Sequence, residues 1–228
     1  MDDRNNLISM YASISADIVS STTLNLEETI ALKHRIESVF SVLEDTTPGF
    51  WGRLIKGDYI ECLLPSAKNA FRAALLLKTC VKSFPVTESK DKKLFQTYGI
   101  RMAIGIGGMR IVDREHGIMD GEAIYMSGRA LNAMSTPNKK GTLSIGCSKE
   151  QFSNALHTIG VLTDALLNNA TMRQSEVLYY KLLSKSEKEI ANIMGLKQSG
   201  INQHSTSAKW YCIDEALNYF EQLRFDDE

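Results

Sequence analysis

The chain has 228 residues, 43% of them apolar and 23% charged, with a formal net charge of −1. This composition excludes a chain disordered throughout and leaves room for one large domain or two small ones. It also excludes a globally basic surface, so any surface suited to nucleic acid must be local.

The start, Met1 to Asn6, is polar and lacks the basic and apolar regions of a signal peptide. Leu7 to Val19 is rich in apolar and small residues and predicts a buried strand carrying Asp17 near its end. Glu27 to Leu43 places Ile30, Leu32, Ile36, Val39, Phe40 and Leu43 near helical period. Phe50 to Ile55 and Tyr59 to Leu64 read as two strands joined by the turn Lys56-Gly57-Asp58. A second amphipathic helix spans Ala67 to Phe84 and is closed by Pro85. Val86 to Lys93 reads as a surface loop, Tyr98 to Ile106 as a strand, and Met109 to Met119 as irregular. Asp120 suits the N-cap of a helix running to Met134, and Gly141 to Cys147 predicts a short strand. From Ser148 onward the pattern is helical with short breaks.

The order strand, helix, hairpin, helix, strand, helix, strand predicts an α+β sandwich, with helices on one face of a mostly antiparallel sheet. A boundary is expected between about Asn154 and Thr171, giving domains 1–155 and 156–228. Cys62, Cys80, Cys147 and Cys212 lack the spacing of a metal knuckle and read as thiols in a reducing compartment. The longest apolar stretch, Ala73 to Leu77, is far too short for a membrane span. A cytoplasmic protein with no membrane segment is the expectation.

The second domain carries the more specific pattern. Ser186 and Glu189 form a capping box at the start of a short helix ending near Met194. Gly195 follows where the chain must turn, and a second helix is expected from Lys197 or Gln198 to about Ala208. Ala191 allows a close crossing, and Ile190, Met194, Leu196 and Ile201 supply apolar contacts, with Met172 to Leu183 as the preceding helix. This reads as a helix-turn-helix for double-stranded DNA, although a purely structural helical hairpin has similar spacing. From Thr171 to Trp210, six bases against three acids leave +3. The exposed face of the second helix would present Lys197, Gln198, Ser199, Asn202, Gln203 and Ser205 or Thr206. Asn and Gln bond adenine edges, while Lys and Ser suit phosphates. His204 stands where such a helix usually buries an aliphatic residue.

Asp17 and Asp58 form the other candidate site. If the first strand lies beside the hairpin, their carboxylates meet and could hold Mg²⁺ or Mn²⁺. The plainer reading makes Asp17 a cap and Asp58 turn chemistry.

The runs Ala16 to Thr22, Lys56-Gly57-Asp58, Arg101 to Gly107 and Gly121 to Arg129 resemble class III nucleotidyl cyclase domains in their order. With the segment Glu189 to Trp210 appended, the chain resembles the SatD family, whose members look like a cyclase-type domain followed by a helix-turn-helix. The resemblance implies a nucleotidyl cyclase-like (ferredoxin-like) sandwich followed by an all-α helix-turn-helix domain. It implies Asp17 and Asp58 as metal-binding acids and Arg129 as the residue that meets the transferring phosphate. Three positions depart from the cyclase pattern. Tyr125 replaces an expected Asn, Leu54 (beside Arg53) replaces a base-selecting Lys, and Ile118 (near Asp120) replaces a base-selecting acid. The resemblance therefore implies weak or no cyclisation of ATP or GTP, with a nucleotide held through phosphates and metal. The leading expectation is a homodimeric DNA-binding transcriptional regulator whose cyclase-like domain dimerises or senses a nucleotide. The rival is a divergent metal-dependent nucleotidyl cyclase or phosphotransferase.

Overall fold

A computed structural model describes residues 10–134 and 141–226. The polar start at 1–6 and the expected strand start at 7–9 lie outside the described residues.

In strand β1 (Tyr11–Ile18), Ala12, Ile14, Ala16 and Ile18 alternate with Ser13, Ser15 and Asp17, so apolar and polar side chains take opposite faces. Helix α1 (Leu26–Thr46) starts at a capping box formed by Asn25 and Glu28 and buries Leu32, Ile36, Val39, Phe40 and Leu43 along one stripe. Glu28 also sits 2.6 Å from the Lys92 ammonium and accepts from the Thr87 N–H. These partners, Lys92 foremost, hold its carboxyl at about 2. Strands β2 (Trp51–Ile55) and β3 (Tyr59–Leu64) are joined through Lys56 and Gly57, which take φ of 52° and 90° as a tight hairpin turn requires. Helix α2 (Ala70–Lys82) follows a single 3₁₀ turn.

The expected loop gives way at Lys93 to the short helix α3 (Lys93–Tyr98), which takes in Tyr98, and β4 (Ile100–Gly107) follows. The stretch expected to be irregular is a hairpin, β5 (Met109–Asp113) with β6 (Ile118–Gly121). Asp120 lies in this hairpin and binds Arg110 and the Tyr125 hydroxyl, so it is not the cap of the next helix. Helix α4 (Glu122–Met134), β7 (Leu143–Cys147) and α5 (Glu150–Asn169) complete this part. Helix α5 runs unbroken across position 155.

The main sheet has the order β2-β3-β1-β4-β7, antiparallel except between β4 and β7. Helices α1, α2 and α5 bury its apolar face. The expectation of helices on one face only is corrected, because α4 lies across β1, β4 and β7 on the other face. Small residues admit it: a Cβ on Gly105 would stand 2.2 Å from the Ala123 carbonyl oxygen. The Ser127 hydroxyl bonds Ser13 at 3.0 Å and Ser15 at 2.9 Å beneath the helix.

Helices α6 (Met172–Leu182), α7 (Glu187–Met194), α8 (Gln198–Ser207) and α9 (Trp210–Gln222) form the C-terminal part. Helix α6 packs on α2, and Leu178 and Leu182 join the main core. So do Ile213, Leu217 and Phe220 of α9. The Phe220 ring lies 5.2 Å from Phe71 and 5.3 Å from Phe225. Arg72 of α2 binds Glu221 at 2.7 Å and donates to the Leu182 carbonyl at 3.0 Å. The apolar stripe of the terminal segment is thus covered within its own chain. No helix among the described residues is long and apolar enough to cross a membrane.

Candidate functional site

Helix α7 begins at the expected capping box: the Glu189 N–H donates to Ser186 Oγ, and the Ser186 N–H donates to Glu189 Oε2 at 2.8 Å. Gly195 ends it with φ 65°, a left-handed conformation that suits a residue without Cβ. Val177, Ile190, Ala191 and Ile201 form a small core of their own, with Met194 and Tyr180 against it. Leu196, expected in that core, is 39% exposed, because it follows the turn and lies outside the α7–α8 contact. On α8 the burial of Ile201 and Ser205 fixes the outward face. Lys197, Gln198, Ser199, Asn202, Gln203 and Thr206 are all exposed, and Ser205 is buried. His204 is half-buried, and the small Ser205 fills the inward position beside it.

The charge of this part is distributed unevenly. Three of its six bases are in ion pairs: Arg173 with Glu176, Lys181 with Glu187, and Lys185 with Glu189. The other three, Lys188, Lys197 and Lys209, are exposed. The net positive charge therefore sits on those three lysines, of which Lys197 and Lys209 flank α8 at its two ends.

At the sheet, the Ile18 N–H donates to the Asp58 carbonyl at 2.9 Å, so the two acids stand at neighbouring backbone positions. Their carboxylates have separate partners. Asp17 faces Arg101 across β4 in a two-pronged ion pair, with the Arg101 Nε 3.0 Å from Asp17 Oδ1. Asp58 Oδ2 accepts from the Ser21 hydroxyl at 3.1 Å. No cluster of three or more metal-ligating side chains occurs among the described residues. Mg²⁺ takes about six oxygens in an octahedron, and here a guanidinium already neutralises one of only two acids. The residues as placed do not fit a divalent cation. Arg129 projects from α4 with its guanidinium 5.9 Å from the centre of the Tyr125 ring.

Beyond the edge of α4, the same sheet face is open over β2 and β3. A cleft of about 100 Å³ there is lined by Trp51, Arg53, Tyr59, Glu61, Ser13 and Ser15, with Gly117 and Met119 at its rim. Arg53 pairs with Glu61 across the strands at 2.7 Å and lies 5.0 Å from the Trp51 ring centre. A Cβ on Gly117 would come within 2.9 Å of the Arg53 guanidinium. Leu54 packs on the opposite face against the core, and Ile118 is 55% exposed. Neither Leu54 nor Ile118 lines this cleft, which is faced by Arg53 and Glu61. The period-2 alternation of β2 could have found Trp51 and Arg53. Arg101 is 84 residues from Asp17, and no local pattern links them.

No family model matches the sequence, and no curated protein matches it. Among solved structures, the chain is similar to two structures of a bacterial light-regulated adenylyl cyclase. The first shares 14% identity at a TM-score of 0.41, over 60% of this chain and 42% of that one. The second shares 14% identity at 0.42, over 60% of this chain and 75% of that one. The guanylyl cyclase Cya2 is similar at 15% identity and 0.35, over 54% of this chain and 70% of that one. The chain thus spans less than half the length of the first of these structures.

Proposed function

We propose that this chain is a DNA-binding regulator that reads duplex DNA with α8 as a homodimer, while its cyclase-like part takes a nucleotide or phosphate as a controlling ligand. One observation carries the reading. The polar side chains of α8 and its N-cap suited to bases and phosphates, Lys197, Gln198, Ser199, Asn202, Gln203 and Thr206, are all exposed, and the exposed Lys197 and Lys209 flank the helix. Three exposed lysines support about three phosphate contacts per module, hence a logarithmic salt slope of roughly −3 per module. Replacing Asn202 and Gln203 together by Ala is expected to cost about 1–3 kcal/mol for each lost base contact. Fluorescence anisotropy against a library of genomic duplexes at fixed salt measures this. Unchanged affinity and unchanged discrimination between duplexes would remove α8 as the reading element.

A second reading, a metal-dependent cyclase or phosphotransferase, draws on the neighbouring placement of Asp17 and Asp58. For it to hold, a cation must displace Arg101 from Asp17. Incubation with Mn²⁺ and each nucleoside triphosphate, followed by chromatography of the products, is expected to show little or no cyclic nucleotide. Robust turnover that Asp58→Ala abolishes would replace the regulator with an enzyme.

A further inference from the structure

Among the described residues, Asn202 is the one exposed polar residue of α8 whose side chain is held by another side chain. Its amide nitrogen stands 3.5 Å from Oε1 of Glu187, the first residue of α7. The same oxygen takes the Lys181 ammonium at 3.2 Å, from the last turn of α6. One carboxylate thus links all three helices of the module. The side chains of Lys181 and Glu187 are mostly shielded, at 16% and 22% exposure, whereas Asn202 is open to solvent. The capping box of α7 uses Ser186 and Glu189, so Glu187 is not needed to start the helix.

The chemistry of the pair decides which part of the amide faces outward. A carboxylate accepts hydrogen bonds and donates none, so it draws the NH₂ of Asn202 and turns the carbonyl oxygen away. A carboxamide nitrogen carries one hydrogen on the side of its oxygen and one on the side of its own chain. With the chain-side hydrogen given to Glu187, the oxygen and the other hydrogen are left side by side and free. That acceptor and donor match the N6 donor and N7 acceptor of adenine in the major groove. Guanine offers acceptors at both places, N7 and O6, and repels an oxygen set against O6. Released from Glu187, the amide could turn its NH₂ outward and donate to guanine instead. We infer that Glu187 is a positioning residue for Asn202, holding the amide in the orientation that takes adenine and refuses guanine. The Lys181 ammonium beside Glu187 offsets its charge and so limits its repulsion of phosphates. At 3.5 Å the contact is long for a hydrogen bond, so it biases the amide rather than locking it. The inference rests on the reading of DNA by α8 and adds to it a base and the residue that selects that base.

Fluorescence anisotropy of the full chain tests it. The probes are the tightest-binding duplex selected from genomic fragments and a set in which each A·T pair of that duplex is replaced in turn by G·C, all at fixed salt. Asn202→Ala is expected to reduce discrimination at one A·T pair about tenfold. Glu187→Ala should reduce it at the same pair about fivefold, the worth of one ordinary hydrogen bond, and should do nothing further when Asn202 is already Ala. Glu187→Gln, which keeps a carbonyl acceptor, should restore most of the discrimination. Removing a charge changes affinity for every duplex alike, so discrimination at one pair is the readout that a merely structural or electrostatic role leaves unmoved. In the free protein, the side-chain amide signals of Asn202 in a nitrogen–proton correlation spectrum should shift in Glu187→Ala, and thermal melts confirm that each variant folds. If the native chain shows no preference among the duplexes, or Asn202→Ala alters none, the reading of DNA through Asn202 fails and the inference falls with it. If Asn202→Ala flattens one pair while Glu187→Ala leaves that pair unchanged, or the Asn202 amide signals do not respond to Glu187→Ala, the reading stands and positioning by Glu187 is overturned.

Discussion

Phe220→Ala is expected to lower the free energy of unfolding by about 3–5 kcal/mol, the range for removing a buried aromatic ring. The ring is fully buried, stacked between Phe71 of α2 and Phe225 of the tail. Its removal leaves a cavity where α9 crosses the main core, and two well-packed walls prevent collapse. Urea unfolding followed by far-UV circular dichroism measures the loss. Because the same core holds the sheet and α9, both should unfold in one transition. A change below about 1 kcal/mol, or an early transition confined to the C-terminal helices, would show that α9 does not join that core.

Lys78→Met is expected to cost a comparable amount, about 3–5 kcal/mol, for an electrostatic reason. Lys78 is completely buried, with its ammonium 2.8 Å from Thr142 Oγ1, 3.2 Å from the Ile100 carbonyl and 3.3 Å from Asp164. Burial lowers its pKa, and the Asp164 carboxylate opposes that shift. Asp164 also accepts from the Thr142 N–H and hydroxyl, each at 2.6 Å. This network joins α2, the start of β4, the approach to β7 and α5. Removing the ammonium alone strands a buried carboxylate. Adding Asp164→Asn removes that charge while keeping an oxygen for the Thr142 N–H, so the double variant should recover part of the loss. A double variant less stable than Lys78→Met would show that the stranded charge is not the cause. Denaturant midpoints for the two variants decide the matter.

How much of this was legible in the sequence depended on the range of the forces involved. Helix α1 announced itself through its apolar period, and the β2–β3 hairpin through Lys-Gly-Asp, whose first two residues do take positive φ. The turn between α7 and α8 followed from Gly195 and the Ser186–Glu189 cap, both local features. The β5–β6 hairpin was missed because its strands are short and only half-buried, so they carry no clear alternation. The Arg101 clamp on Asp17 was missed because strand pairing brings them together from distant parts of the chain. Placing α4 on the second sheet face depended on the small residues Gly105 and Ser15, which say little in isolation.

Helix α2 is buried on every side, with the sheet and α1 around it and α6 and α9 packed on it. Its sequence must therefore satisfy neighbours on two flanks, and a substitution that suits the strands can fail against α6. Helix α8 rests on this wall through α6 and α9. Trimming the chain ahead of α6 would leave the apolar back of α2 open to water. Any change of sheet geometry that shifts α2 would travel through the same wall to α6, and from there to the orientation of α8.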